Sequence, residues 1–292
     1  MSTSTFSTVI DHTSDAGFRT WGNELSTALS AVGLVQTADT GQIDFGTVAR
    51  PSTSTAGGYE VYRFDDAIQG TAPIYFKLEY GTSGTATVPQ MWVTIGTGSD
   101  GVGGITGTLV SRTICSLTPS VPNSSVPYPS YVCASGGQLM VCFKTGAGVS
   151  STYPGMFFHI GRTTNDSGAD TGDGLVLYYK ATGTGYTLQQ CRLFASGATV
   201  TLAQHTFCLV PGLMTASMSG SDIQAFKNYA AFPLVKPNIG VVTVIEAEVP
   251  AGNTISVAAV GSTPRTYIST GQAGYGCGVA ASSNYCAAML WE

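Results

Sequence analysis

The sequence predicts a mainly β protein, with antiparallel sheets in a sandwich or barrel-like arrangement and one amphipathic helix near the N-terminus packed on a sheet. Three observations lead there. Short runs of alternating apolar and polar residues recur along most of the chain, punctuated by Gly, Pro, Asn, Asp and Ser. A single segment, Phe18–Leu34 (FRTWGNELSTALSAVGL), carries a long helical period. Gly accounts for 37 of 292 residues, and only 10% of residues are charged, against roughly 25% in an ordinary soluble domain.

The helix has a complete signature. Ser14 or Asp15 is placed to cap it. Phe18, Trp21, Leu25, Ala28, Leu29 and Val32 recur at three- and four-residue steps, and Gly33 is the natural left-handed stop. A stripe holding a Phe and a Trp must pack on something large; the chain's own sheet is favoured over a partner subunit.

After the helix the period changes. Residues 33–48 (GLVQTADTGQIDFGTV) are turn-rich, with apolar pieces at Leu34–Val35 and Ile43–Val48. GYEVYRF then reads as a strand, with Tyr59, Val61 and Phe64 among polar neighbours. DDAIQGTA is a turn or short connection. In PIYFKLEYG, Ile74, Phe76, Leu78 and Tyr80 alternate with Tyr75, Lys77 and Glu79, which is a strong strand pattern. VPQMWVTIGTG follows as the next strand, so this region predicts an antiparallel meander with Asp and Gly at its turns.

The next stretch, GTGSDGVGGITG, contains Gly96, Gly98 and Gly101 in a GxGxxG spacing. A dinucleotide site requires a helix opening at that loop. The residues that follow are Gly-broken and β-like, so a hairpin loop is the better account. Leu117–Tyr131 (LTPSVPNSSVPYPSY) holds four prolines and is the candidate boundary or long surface crossing. The chain accordingly divides into an N-terminal helix-plus-meander module, 1–115, and a second β-rich region, 116–292, with the boundary inside 117–131. The second region carries further strand patterns: GQLMVCFK, GMFFHIGR, GLVLYYKA, QQCRLFA, TFCLVPG, VVTVIEAEVPAG, TISVAAVG and RTYIST. Ser221–Ala231 is predicted as one short helix capped by Ser221.

Composition bounds the function. The net charge is −5 and the pI about 5.1, with no Lys/Arg cluster, which excludes the electrostatic footprint of a nucleic-acid binder. The mean hydropathy is +0.19, yet no run approaches the roughly 18 apolar residues of a membrane helix. The segment MSTSTFSTVIDH lacks the basic and apolar regions of a signal peptide. The surface must therefore be neutral and polar. Such a surface suits a protein covered by neighbours, because burying a hydroxyl at a contact costs far less than burying an unpaired charge.

No catalytic constellation rises above background, and no cofactor, metal or catalytic residue is predicted. His12, in DHTSD beside Asp11 and Asp15, reads as part of a capping segment rather than an acid/base or metal site. His159, among aromatics on a strand, reads as structural. His205 and Cys208 form a lone HxxC on strand-like flanks and read as a packed pair. Asp166, Asp170 and Asp173 share a Gly-rich stretch, DSGADTGDG, that lacks the EF-hand spacing and reads as an acidic turn. There is no GxSxG elbow. Tyr153, Tyr178, Tyr179 and Tyr186 fit cross-strand packing better than a glycan-stacking surface. The seven cysteines include no CxxC pair. Cys142 reads as a core thiol. Cys277 and Cys286 flank a small loop and could bridge in an oxidising medium, although reduced thiols are the default without a signal peptide.

The run from Trp21 to Phe45, W-x-x-E-L-x-x-A-L-x-A-V-G-L-V-Q-T-A-D-T-G-Q-I-D-F, together with GYEVYRFDDAIQGTAPIYFKLEYG and MWVTIGTGSDGVGGITG, resembles a module of structural proteins of tailed-bacteriophage virions. The resemblance covers roughly residues 18–107. It implies a non-enzymatic virion subunit of the tail, neck, baseplate or capsid surface, assembled in the host cytoplasm. Its partners would be further copies of itself and other virion proteins, with no nucleic acid and no membrane insertion. An adhesin of the same particle, binding a host surface receptor or glycan, is the alternative. The resemblance carries no catalytic residues.

Overall fold

The structure is a computed structural model. It describes residues 2–9, 13–52, 54–83, 89–117, 127–143, 157–164, 170–182, 185–194, 199–200, 241–245, 253–257, 265–273 and 285–291. Among the described residues the protein is mainly β, with one helix near the N-terminus. The elements are β1 (Ser2–Val9), α1 (Asp15–Ala31), β2 (Val35–Gln36), β3 (Ala56–Arg63), β4 (Tyr75–Thr82), β5 (Pro89–Ser99), β6 (Ile105–Leu117), β7 (Pro127–Ser135) and β8 (Gln138–Phe143). They continue with β9 (Phe157–Thr164), β10 (Asp170–Thr182), β11 (Gly185–Leu193), β12 (Thr199–Val200), β13 (Val241–Ile245), β14 (Thr254–Val257), β15 (Arg265–Ala273) and β16 (Tyr285–Leu290).

The large sheet runs β1-β7-β8-β9-β10-β6-β5-β4-β3-β2, with β11 and β12 continuing from β10. Two antiparallel halves, β2 to β6 and β1 with β7 to β12, have ladders that meet at the parallel pairing of Lys180 on β10 with Leu117 on β6. A smaller antiparallel sheet has the order β13-β16-β15-β14. Among the described residues no barrel closes. The meander of β3 to β6 is antiparallel throughout, as its alternation dictates.

The helix forms where its signature lies. Ser14 Oγ accepts the Gly17 N–H at 3.0 Å, and Gly33 takes the left-handed conformation with φ +83°. Phe18, Trp21, Leu25 and Leu29 are completely buried, each contributing about 1.5–3 kcal/mol of hydrophobic stabilisation. Trp21 lies at the centre: its ring centroid is 6.0 Å from that of Tyr80 on β4 and 6.0 Å from that of Phe143 on β8. Both halves of the sheet therefore turn an apolar face to the same helix, in a sandwich-like arrangement. One core holds Phe76, Leu78, Val93 and Ile95 from one half and Val132, Val141, Phe158 and Ile160 from the other. Residues 118–126, most of the stretch expected to hold the boundary, lie outside the described residues.

The helix start is tied down as well. Arg19 donates to the carbonyls of Val48 (2.6 Å) and Thr47 (2.9 Å), and Asp15 Oδ1 accepts from Arg50 N at 2.9 Å. Gly22 permits the close approach of this loop, since a Cβ there would stand 2.0 Å from Phe45 Cε1.

Two stretches differ from the sequence expectation. The Ser/Thr-rich residues 2–9, for which the sequence offers no strand pattern, form β1, paired along its length with β7. The last part of the supposed crossing, Pro127–Tyr131, lies in β7. Its prolines fit because β8 begins to pair only at Ser130, which leaves one side of Pro127 and Pro129 outside the ladder.

Candidate interaction surface

The most fully built surface feature is a corner where residues 37–42, the β5–β6 turn and Tyr59 meet. Asp39 pins it. Its Oδ1 accepts from Thr37 Oγ1 (2.6 Å) and Ser99 Oγ (2.9 Å), and its Oδ2 from Gly103 N (2.9 Å). Burial pushes the Asp39 carboxyl up, but the hydrogen bonds from Thr37, Gly103 and Ser99 outweigh it and hold the group below the ordinary carboxylate value. Asp100 Oδ1 organises the turn itself, accepting from Val102 N (2.9 Å) and Gly104 N (2.8 Å). The Tyr59 hydroxyl is shared between Thr40 O (2.8 Å) and Val102 O (2.9 Å), and Thr40 N donates to Gly101 O at 2.8 Å. Gly103 has φ +86°, and a Cβ there would lie 2.1 Å from the Tyr59 ring, so only glycine fits. This bonded frame presents Val102, 63% exposed and the one large hydrophobic residue so exposed among the described residues.

Beside the corner, the outer face of the meander holds its charges against aromatic rings and in one ion pair. Lys77 Nζ sits 4.2 Å above the Tyr59 ring. Arg112 lies 4.2 Å over the Trp92 ring and donates to Glu79 Oε2 at 2.7 Å. Such exposed pairs contribute about 0–1 kcal/mol each.

The buried polar groups are committed to structure. Glu60 faces the helix from β3 and is 2% exposed. It accepts from Ser26 on α1 (2.5 Å), from Gln36 on β2 (3.4 Å) and from the Tyr80 hydroxyl on β4. Burial first, and the Glu60 charge second, hold the Tyr80 hydroxyl well above its ordinary pKa. Arg162 on β9 grips Asp66 with two N–H groups and also donates to Gln69 at 3.2 Å, fastening the 65–72 turn to the second half of the sheet. His159, on the opposite face of β9, is 2% exposed and neither ring nitrogen is hydrogen-bonded. Burial lowers its pKa to about 4.

The residues singled out in the sequence fall as follows. His159 is a core residue. Gly96, Gly98 and Gly101 lie along β5 and in its hairpin turn, with no helix after them. Asp170 and Asp173 lie at the start of β10, where the register shifts between Asp170 and Gly174. Asp166, His12, His205, Cys208, Cys277, Tyr153 and the 221–231 helix lie outside the described residues. Tyr178, Tyr179 and Tyr186 lie on β10 and β11. Cys115, Cys133 and Cys142 are buried. Among the described residues no three His, Cys, Asp or Glu side chains are grouped to hold a metal ion, and no helix is long and apolar enough to cross a membrane. Sequence reasoning missed the Asp39 staple and the buried Glu60. The spacing of Asp39 and Asp100 from their small-residue partners was visible, but the contact between them spans some sixty residues of chain, as in the Ser99–Asp39 bond, with |i−j| of 60. No protein-family model, curated protein or solved structure matches the chain.

Proposed function

We propose that this chain is a non-enzymatic structural subunit of a tailed-phage virion, at the tail, neck, baseplate or capsid surface, acting through contacts with its own copies and other virion proteins. The observation that carries the reading is the corner. Two blocks that resemble the virion module, TADTGQIDF and MWVTIGTGSDGVGGITG, converge there, and the polar side chains of Asp39, Asp100 and Tyr59 are spent on bracing a protrusion tipped by Val102. A braced projection with an apolar tip loses little conformational entropy on docking. The low charge of the whole chain supports the same reading. Virion assembly would then take place in the host cytoplasm.

The test is mass spectrometry of purified particles from the source phage, with immunogold labelling to place the protein. Recovery of its peptides at a fixed ratio to known subunits supports the reading; particles free of them would sink it.

A further inference from the structure

We propose that β1 is an assembly edge that pairs antiparallel with β1 of a second copy, about a two-fold axis perpendicular to the sheet. This deepens the subunit reading and rests on it only for its biological setting. Along Ser2–Val9 one side of β1 is bonded to β7, and among the described residues no strand pairs with the other. Exposed edges are normally blunted by Lys, Pro, a bulge or brevity. The segment STSTFSTV has none of these: eight residues, no charge, no proline and a regular register with β7.

The opposite end of the large sheet is closed. There β2 has only two residues, and the following loop bonds onto β3, with Thr37 N to Val61 O at 2.9 Å and Ile43 N to Tyr59 O at 2.8 Å. Pairing of this edge with the same edge of a second copy is isologous and gives a finite pair, not a filament.

The occupant is argued from the strand itself. A two-fold perpendicular to the sheet keeps each face on its own side, so opposed residues share a face and the axis passes near Thr5 or Phe6. Every opposed pair is then drawn from Ser, Thr, Phe and Val, with no like charges to repel although the chain is acidic overall. Cross-strand hydroxyl and β-branched pairs are favourable. Phe6 is already engaged on the helix side, edge-on to Phe143 at 6.1 Å, so the strand is held in shape before it meets a partner. The dimer would carry one continuous sheet with both α1 helices on the same side.

The experiment uses the full-length protein. Sedimentation or light scattering over a concentration series is combined with hydrogen exchange read at low and high concentration. The expected result is a dimer whose formation slows exchange in residues 2–9 and changes little with salt. Thr5 is exposed, so Thr5→Lys places two cations across the axis without touching the core; it should weaken dimerisation about tenfold or more while leaving the thermal midpoint of the monomer unchanged, with Thr5→Val as the uncharged control that still dimerises. A wild-type monomer at every concentration, a Thr5→Lys dimer of unchanged affinity, or protection of residues 2–9 together with β13 instead of β1 alone would each overturn the proposal. A monomeric protein that is nevertheless present in particles would sink the edge and spare the subunit reading. A β1-dependent dimer absent from particles would do the reverse.

Discussion

His159 enters the folded state uncharged, and this fixes a pH dependence. Its ordinary pKa is 6.5 and burial holds it at about 4 in the fold. Above pH 6.5 neither state binds the proton and the contribution is fully present. As pH falls from 6.5 towards 4 the unfolded chain takes up a proton that the folded chain refuses, so stability is lost through that window, by about 3 kcal/mol in total. Urea unfolding at pH 7 and pH 4.5 should show this loss, and His159→Leu should remove most of the difference between the two. Glu60 gives a second prediction. It is a carboxylate held under the helix by hydroxyl and amide donors. Tyr80→Phe removes the donor to one of its oxygens and leaves the ring packing intact, so it should cost about 1.5–3 kcal/mol in denaturant unfolding. A change below half a kcal/mol would mean that the bond contributes nothing.

At the scale of elements, α1 shows why some of the fold was legible and some was not. Its cap, stripe and stop are local, and each was readable from residues four or fewer positions apart. The meander strands were legible for the same reason, since burial follows the alternation in β4. By contrast, β1 carries hydroxyls where a strand pattern wants apolar residues, and β7 begins with prolines. Both are strands because they pair with each other, across more than a hundred residues. Glu60 escaped notice because a strand buried on both faces offers no polar side by which to orient it: Val61 and Tyr62 are both 0% exposed. Gly22 tests the helix–loop contact. Alanine raises helix propensity by about 1 kcal/mol, yet its methyl would meet Phe45, which is packed edge-on to Tyr80 at 5.2 Å. Gly22→Ala should therefore destabilise by about 1–3 kcal/mol, the usual cost of overpacking, seen as a lower thermal midpoint; a higher midpoint would show that Phe45 yields freely.

On the scale of the whole molecule, the two halves of the large sheet share one core through Trp21, and among the described residues their ladders meet at one parallel pair, with a further backbone bond from Asp65 N to Gly136 O at 3.2 Å. Side chains, more than the ladder, hold them together. Trp21→Ala should cost about 3–5 kcal/mol, and hydrogen exchange should lose protection in β4 and β8 alike. Loss confined to one of them would show that the halves are stable separately. The pairing of β1 also sets a timetable for synthesis. Val9 finds its partner at Pro127, so a ribosome adding 5–20 residues per second leaves the strand waiting roughly 6–25 s before its mate has been made. Throughout that interval both of its margins are bare, and on a crowded polysome the nearest sticky ribbon belongs to the neighbouring nascent chain.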